Sequence, residues 1–329
     1  MDSAGRHFAF LVGLSLAFIA YGVCGLVVYA LLPLAGGGAG ASPLAGILAL
    51  VVLVAATLAS VARGARVVRR HRAAHVRLVR WIERSAVEPP AELAAAARDA
   101  GLEGRIVLLR RAELFSFVCG AFVPRVAIST GMLERLSPAE LRAALEHERY
   151  HVRNLDPLRE LIGRVLAESL FYLPLAASMH RCYAIERELA ADRRAAAIVG
   201  RRPLAGALLA ALEGPCPEPR ASVALGGSAL LASRLSQLET GHPSPAAGVD
   251  GRAVLRSALG LAAVLALFVA AVYGIGGSAG LARFLAAELA PANLFAGTAV
   301  CVAPAFCLLG IGYGRLAWGA RGDLAVRRG

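Results

Sequence analysis

The sequence predicts a mainly α membrane protein of α+β type, with four transmembrane helices around one cytosolic domain that contains a small β-sheet. Three observations carry this reading. Apolar residues fill 57% of the 329 positions, more than one soluble core uses. They concentrate in two paired runs, one pair toward each end of the chain. Between the pairs lies a charged region in which two short β-rich runs precede a strongly signalled helix.

The first run, Phe8 to Leu32, carries no charge and is long enough to cross roughly 30 Å of hydrocarbon at about 1.5 Å per residue. It exceeds the apolar part of a signal peptide. A second run, Leu44 to Val61, follows after a short Gly-rich turn, so the two read as a hairpin. Leu255 to Ile275 and Leu294 to Leu316 make the second pair. The loop from Pro33 to Pro43 is uncharged, whereas Arg63, Arg66, Arg69, Arg70, Arg72, Arg77, Arg80 and Arg84 follow the second run. Arg252 and Arg256 lie before and at the start of the third, and Arg315, Arg321, Arg327 and Arg328 lie at or beyond the end of the fourth. Basic clusters mark the cytosolic face, so both termini and the middle region are expected inside, in a multi-pass protein of the cell membrane. The expected organisation is a transmembrane hairpin at 1–64, a cytosolic domain at 65–252, and a second hairpin with a short cytosolic tail at 253–329.

All 35 basic residues are arginine, against 23 acidic ones, for a net charge of +12. The arginines sit beside apolar runs and are not interleaved with aromatics, a pattern of the membrane surface that argues against direct nucleic-acid binding. The basic run after Val61 is placed to meet anionic lipid heads. Six cysteines without a CxxC pair exclude a disulfide framework and a Cys-zinc site, and fit a reducing compartment.

Within the middle region, Pro90 to Ala100 reads as a helix opened by Pro and stopped by Gly101. Ile106 to Leu109 and Val126 to Ser129 read as strands, the latter offered as an edge for an extended substrate. Leu161 to Ala184 is apolar enough to tempt a fifth span. Its charges, Arg164, Glu168, His180 and Arg181, and the break available at Pro174 suit a fold-back instead. Glu213 to Gly251 is a Pro- and Gly-rich return with a helical stretch around Leu230 to Leu238.

The chemistry lies in the helix opened by Ser137-Pro138-Ala139-Glu140, a capping-box start. It contains His147-Glu148-Arg149-Tyr150-His151. Residues four apart share a helix face, so both imidazoles can bind one cation, and Glu148, one step round, can act as a base on water. A second helix carries Glu186-Arg187-Glu188-Leu189-Ala190-Ala191-Asp192. Glu188 and Asp192 are also four apart, so Glu188 is the expected third ligand and Asp192 the acceptor for a ligand imidazole, His147 first. Glu186 competes for the third place but has no partner at that spacing. Three protein ligands with an open fourth position are the pattern of a catalytic zinc site, Zn2+ at one per chain, with His147, His151 and Glu188 as ligands and Glu148 as base. Candidate donors to a developing oxyanion are His180, Tyr183, Arg234 and His242.

The stretch from Phe117 through "FVCGAFVPRVAISTGMLERLSPAELRAALEHERYHVRNLDPLR", followed by "ERELAADRRAA", resembles the membrane metallopeptidase family of the beta-lactam sensor-transducers, peptidase family M56. The resemblance covers roughly residues 80–238 and the flanking runs, and HExxH with a downstream ExxxD is its most specific part. It implies a gluzincin-like fold, one zinc, and the roles given above to His147, Glu148, His151, Glu188 and Asp192. It also implies cleavage of a cytosolic protein substrate, with a winged-helix repressor as the expected target. Nothing beyond the fourth run is long enough for an extracellular penicillin-binding domain. The related CAAX and heat-shock membrane proteases share HExxH and ExxxD. Their Asn before the small strand is Phe115 here, and their His six residues ahead of an active-site Arg falls at Ser228 if Arg234 is that Arg. Two rival readings are a housekeeping protease for membrane proteins and a non-catalytic signalling protein with a structural zinc.

Overall fold

The computed structural model describes residues 4–13, 42–213, 227–241 and 249–289. Ten helices and four strands are found among them: α1 (4–13), α2 (Pro43–Ser85), β1 (Ala86–Val87), α3 (Ala91–Asp99), β2 (Ile106–Leu109), β3 (Ser116–Cys119), β4 (Arg125–Ser129), α4 (Thr130–Arg135), α5 (Pro138–Arg153), α6 (Asp156–Ser169), α7 (Pro174–Val199), α8 (Arg201–Glu213), α9 (Gly227–Thr240) and α10 (Gly251–Leu289). They fall into two compact units. Of the described residues, one unit takes 4–5, 65–165, 180–213 and 227–241, and the other takes 6–13, 42–64, 166–179 and 249–289.

The second unit is the apolar one. Two helices among the described residues, Leu44–Ser85 and Gly251–Ile275, are long and apolar enough to cross a membrane. Leu44, Leu48 and Leu58 of α2 and Leu255 and Leu259 of α10 are exposed. Rows of exposed leucine are costly in water and at home in lipid, so these helices associate the chain with a membrane. They coincide with the second and third apolar runs of the sequence. Of the other two, Phe8 to Leu32 is described only as far as residue 13, and Leu294 to Leu316 lies outside the described residues. The two apolar helices cross at glycine, where a Cβ on Gly274 would lie 2.5 Å from the Gly46 Cα. Ala49, Ala271 and Val272 pack beside the crossing. In the same unit, Leu11 of α1 packs against Leu170, Leu173, Ala176 and Met179.

In the first unit the strand order is β1-β2-β4-β3. β4 runs parallel to β2, with Ile106 opposite Val126, and antiparallel to β3, with Phe117 opposite Ala127. This corrects one expectation from the sequence. Val126 to Ser129 is central, with both backbone edges already paired; among the described residues the outer strands are β1 and β3, and β3 is the longer, with four residues against two. The Gly- and Pro-containing connection between the two recognised strands conceals β3, and β1 is only a two-residue extension of α2.

The core forms where the sheet meets α3 and α5: Leu93, Leu102, Val126, Ile128 and Leu145 are buried together. Each such side chain contributes about 1.5–3 kcal/mol when taken from water. Gly101, at φ 63°, takes the left-handed conformation that ends α3. The capping box at the start of α5 forms as its sequence predicts. The Ser137 hydroxyl accepts from the Glu140 N–H at 3.4 Å, and the Ser137 N–H donates to Glu140 Oε2 at 2.9 Å. The apolar stretch 161–184 folds back: α6 stops at Ser169 and Pro174 opens α7. Pro suits a first helical position, because its missing N–H is needed by no helical partner there.

Candidate metal centre

Helix α5 supplies two imidazoles and α7 one carboxylate. His147, His151 and Glu188 offer ligand atoms that all lie within 4.8 Å of one another. The two Nε2 atoms are 3.2 Å apart, and Glu188 Oε2 lies 3.6 Å from the first and 3.8 Å from the second. Two nitrogens bound at about 2.0–2.1 Å to one tetrahedral ion stand about 3.3 Å apart, so the arrangement fits a divalent metal without rearrangement. Among the described residues it is the one cluster of this kind. Glu186 is buried but lies outside the cluster.

Each imidazole has its Nδ1 against a carboxylate, which leaves its Nε2 facing the centre. His147 Nδ1 lies 2.9 Å from Asp192 Oδ1. His151 Nδ1 lies 2.6 Å from Asp156 Oδ2, and the Tyr183 hydroxyl donates to the other oxygen of Asp156 at 2.9 Å. The sequence reading did not find Asp156. It sits five residues past His151, beyond the end of α5, where helical spacing no longer says which way a side chain faces. What returns it is Leu155, a non-glycine residue at φ 51°. That left-handed step between α5 and α6 costs about 1–2 kcal/mol.

Arginines hold the acidic side in place. Asp192 is fully buried and takes two bonds from Arg234, Nε to Oδ2 at 2.7 Å and Nη2 to Oδ1 at 2.8 Å. Arg187 donates from Nε to Glu188 Oε1 at 3.3 Å and from Nη1 to Glu160 Oε2 at 2.9 Å. Glu160 also meets His180 at 3.3 Å and Arg164 at 3.2 Å. Burial works against each of these anions, yet their cationic neighbours outweigh it. The pKa of Glu160 falls to about 2, and that of Glu188 is held well below the usual carboxylate range by His151, His147, Arg187 and Arg234. Burial likewise opposes charge on His147, but Asp192 and Glu188 raise its pKa to about 10.

Glu148 is buried beside the cluster and accepts a hydrogen bond from the Ser116 hydroxyl at 2.8 Å. Ser116 belongs to the free-edged strand β3, so the candidate base and that edge are directly joined. Both line a cleft of about 340 Å³ that also contains His147, His151, Glu188 and Arg234. Of the four candidate oxyanion donors, Arg234 lines this cleft, whereas His180 is engaged with Glu160 and Tyr183 with Asp156. His242 lies outside the described residues.

Comparison with known proteins gives two kinds of match. The family model described as BlaR1 peptidase M56 matches residues 41–238. Protease HtpX homolog 2 of Methanosarcina mazei is 46% identical over 48 residues, 15% of this chain and 16% of that protein. Protease HtpX homolog 2 of Methanosarcina acetivorans is 42% identical over 48 residues, with the same shares. The chain thus matches about a sixth of the length of these relatives. No solved structure matches.

Proposed function

Because the chain belongs to the BlaR1 peptidase M56 family, a membrane metallopeptidase family, we propose that it is a zinc endopeptidase that cleaves a cytosolic regulatory protein. The observation that carries the reading is the convergence of His147, His151 and Glu188 with Glu148 alongside in a cleft. A purely structural site has no use for a carboxylate beside an open position.

In this reading His147, His151 and Glu188 hold the zinc. A zinc ion held there would supply Lewis acidity toward the scissile carbonyl and the attacking water. Glu148 takes the proton of the attacking water and delivers it to the leaving amine nitrogen. Ser116 orients Glu148 by donating to its Oε1. Asp192 and Asp156 keep each imidazole in the tautomer whose Nε2 lone pair faces the ion. The free edge of β3 pairs with the backbone of an extended substrate and lays its scissile bond along the cleft. Arg234, one of the arginines lining the cleft, is placed to stabilise charge developing on the carbonyl oxygen.

The regulatory target is proposed as a transcriptional repressor of the winged-helix class, with the catalytic unit and both termini on the cytosolic side. The test expresses wild type and Glu148→Gln in the same cells, compares soluble fragments by mass spectrometry, and measures zinc in both purified proteins. One or a few discrete cleavages in a DNA-binding protein, made by wild type alone, support the proposal. Many unrelated fragments from membrane proteins would instead favour a quality-control protease.

A further inference from the structure

The stretch of α2 inside the catalytic unit has two chemically different sides. One side, with His71, Ala74, His75 and Leu78, lines the cleft. The rest of the surface is rich in arginine: Arg66, Arg69, Arg70, Arg72, Arg77, Arg80 and Arg84 are all exposed, interspersed with exposed Val68, Val76 and Val79, and Glu83 is the one acid in this stretch of the helix. At roughly 100° per residue, Arg70 and Arg77 fall on one flank of the cleft-lining side and Arg72 on the other, while Arg66, Arg69 and Arg80 fall on the far side. A further exposed arginine, Arg125, is paired in register with Cys119 of β3, another cleft-lining residue.

The acids of the cleft do not offset this rim. Glu148 is bound by Ser116, Asp156 by His151 and Tyr183, Glu160 by His180, Arg164 and Arg187, and Glu188 by Arg187. Each is turned inward on a partner. A chain entering the cleft along α2 therefore passes the exposed Arg70, Arg72 and Arg77 before it meets the metal site.

We propose that Arg70, Arg72 and Arg77 form a cationic rim that selects substrates carrying an acidic segment beside the scissile bond. The inference rests on the peptidase reading of the cleft and adds a substrate class to it. An acidic protein segment is favoured over a lipid surface because the same four-residue-spaced stretch of α2 that carries the rim also walls the cleft. Whatever lies along these arginines is thus what is entering the site. Long-range attraction of this kind raises the encounter rate by about 10–10³-fold and fades as salt screens it.

The experiment uses the full chain, zinc-loaded, in neutral detergent, with paired fluorogenic peptides that share one scissile core. One peptide has flanking Asp and Glu, the other has Gln and Asn in their place. The acidic peptide is expected to be cleaved with about tenfold or greater advantage in kcat/KM at low salt, shrinking toward parity at about 0.5 M salt. The triple variant R70Q/R72Q/R77Q should lose the preference, whereas R66Q/R69Q/R80Q, with the same loss of charge on the far side, should keep it. Equal cleavage of the two peptides by wild type, or an equal loss in both triple variants, overturns the inference. Binding of the same peptides to the Glu148→Gln protein, read by fluorescence anisotropy, separates the two levels of the argument. Salt-dependent preference in binding without any cleavage by wild type sinks the peptidase reading and leaves the rim standing. If vesicles rich in phosphatidylglycerol, and not the acidic peptide, distinguish the two triple variants, the rim serves lipid and the inference fails.

Discussion

Asp192 offers the sharpest perturbation, because one fully buried carboxylate serves both the imidazole of His147, a candidate metal ligand, and a guanidinium. In Asp192→Ala the Arg234 side chain, itself 16% exposed, loses two bonds of 2.7 and 2.8 Å and keeps a single carboxylate contact, Glu188 at 3.8 Å. Removing one partner of a buried pair costs about 3–5 kcal/mol. His147 also loses the group that fixes its tautomer, which lowers metal affinity by about ten- to a hundredfold. At saturating metal that second loss removes about 1.4–2.7 kcal/mol more of linked stability. Metal-free Asp192→Ala should therefore unfold on the order of 10 °C below wild type, and the gap should widen when zinc is present. Asp192→Asn separates the two roles: its carbonyl can still accept from His147, while its amide turns a donor toward Arg234. It should retain most of the zinc affinity and lose much of the stability. The assay is thermal unfolding of detergent-purified protein with and without chelator, together with competition against a chromophoric chelator. If Asp192→Ala matched wild type in both, the reasoning from the buried network would be refuted.

Glu148→Gln should bind zinc as wild type does and lose peptide hydrolysis by about 10²–10⁴-fold, whereas Glu188→Ala should lose the metal as well; metal analysis beside a cleavage assay tells them apart. In the metal-free protein His147 stays protonated up to about pH 10, and zinc needs it neutral, so apparent zinc affinity should rise with pH from 6 to 9, with proton release seen by calorimetry in buffers of different ionisation enthalpy. A pH-independent affinity would contradict the Asp192 and Glu188 environment of that ring. Glu160 bears the opposite shift: with its pKa lowered to about 2, its contribution to stability is present above about pH 4.5 and lost as pH falls toward 2. Glu160→Gln should flatten the acid limb of a stability–pH curve. Gly274→Val should lower thermal stability by about 1–3 kcal/mol, because the new side chain meets the Gly46 backbone and the two helices must part.

Local rules made much of this site legible. Four-residue spacing put His147 with His151 and Glu188 with Asp192, and the Ser137 capping box fixed where α5 begins. Gly101 and Pro174 punctuated their helices where the structure places the breaks. Asp156 escaped, because it is reached through the left-handed Leu155, a conformation that no propensity assigns to leucine. The bond between Arg234 and Asp192 joins residues 42 positions apart, and that between Ser116 and Glu148 spans 32. Neither has a periodicity to betray it. The exchange of edge between β3 and β4 has the same origin: strand order is a property of pairing across the chain, and Val126 to Ser129 reads equally well as a central or an outer strand.

The free edge of β3 offers its hydrogen bonds only to backbone that is not already paired, and in a folded target almost all backbone is. For a peptidase that works through this edge, the effective substrate is a locally opened form of the target, present as a small fraction of its molecules. Each ~1.4 kcal/mol of local stability in the target then slows cleavage tenfold, with the enzyme unchanged. Control over which protein is cut, and when, passes in this way to the target: a ligand that tightens it protects it, and one that loosens a single segment exposes it. A peptidase working through such an edge would be a gauge of its substrate's folding equilibrium.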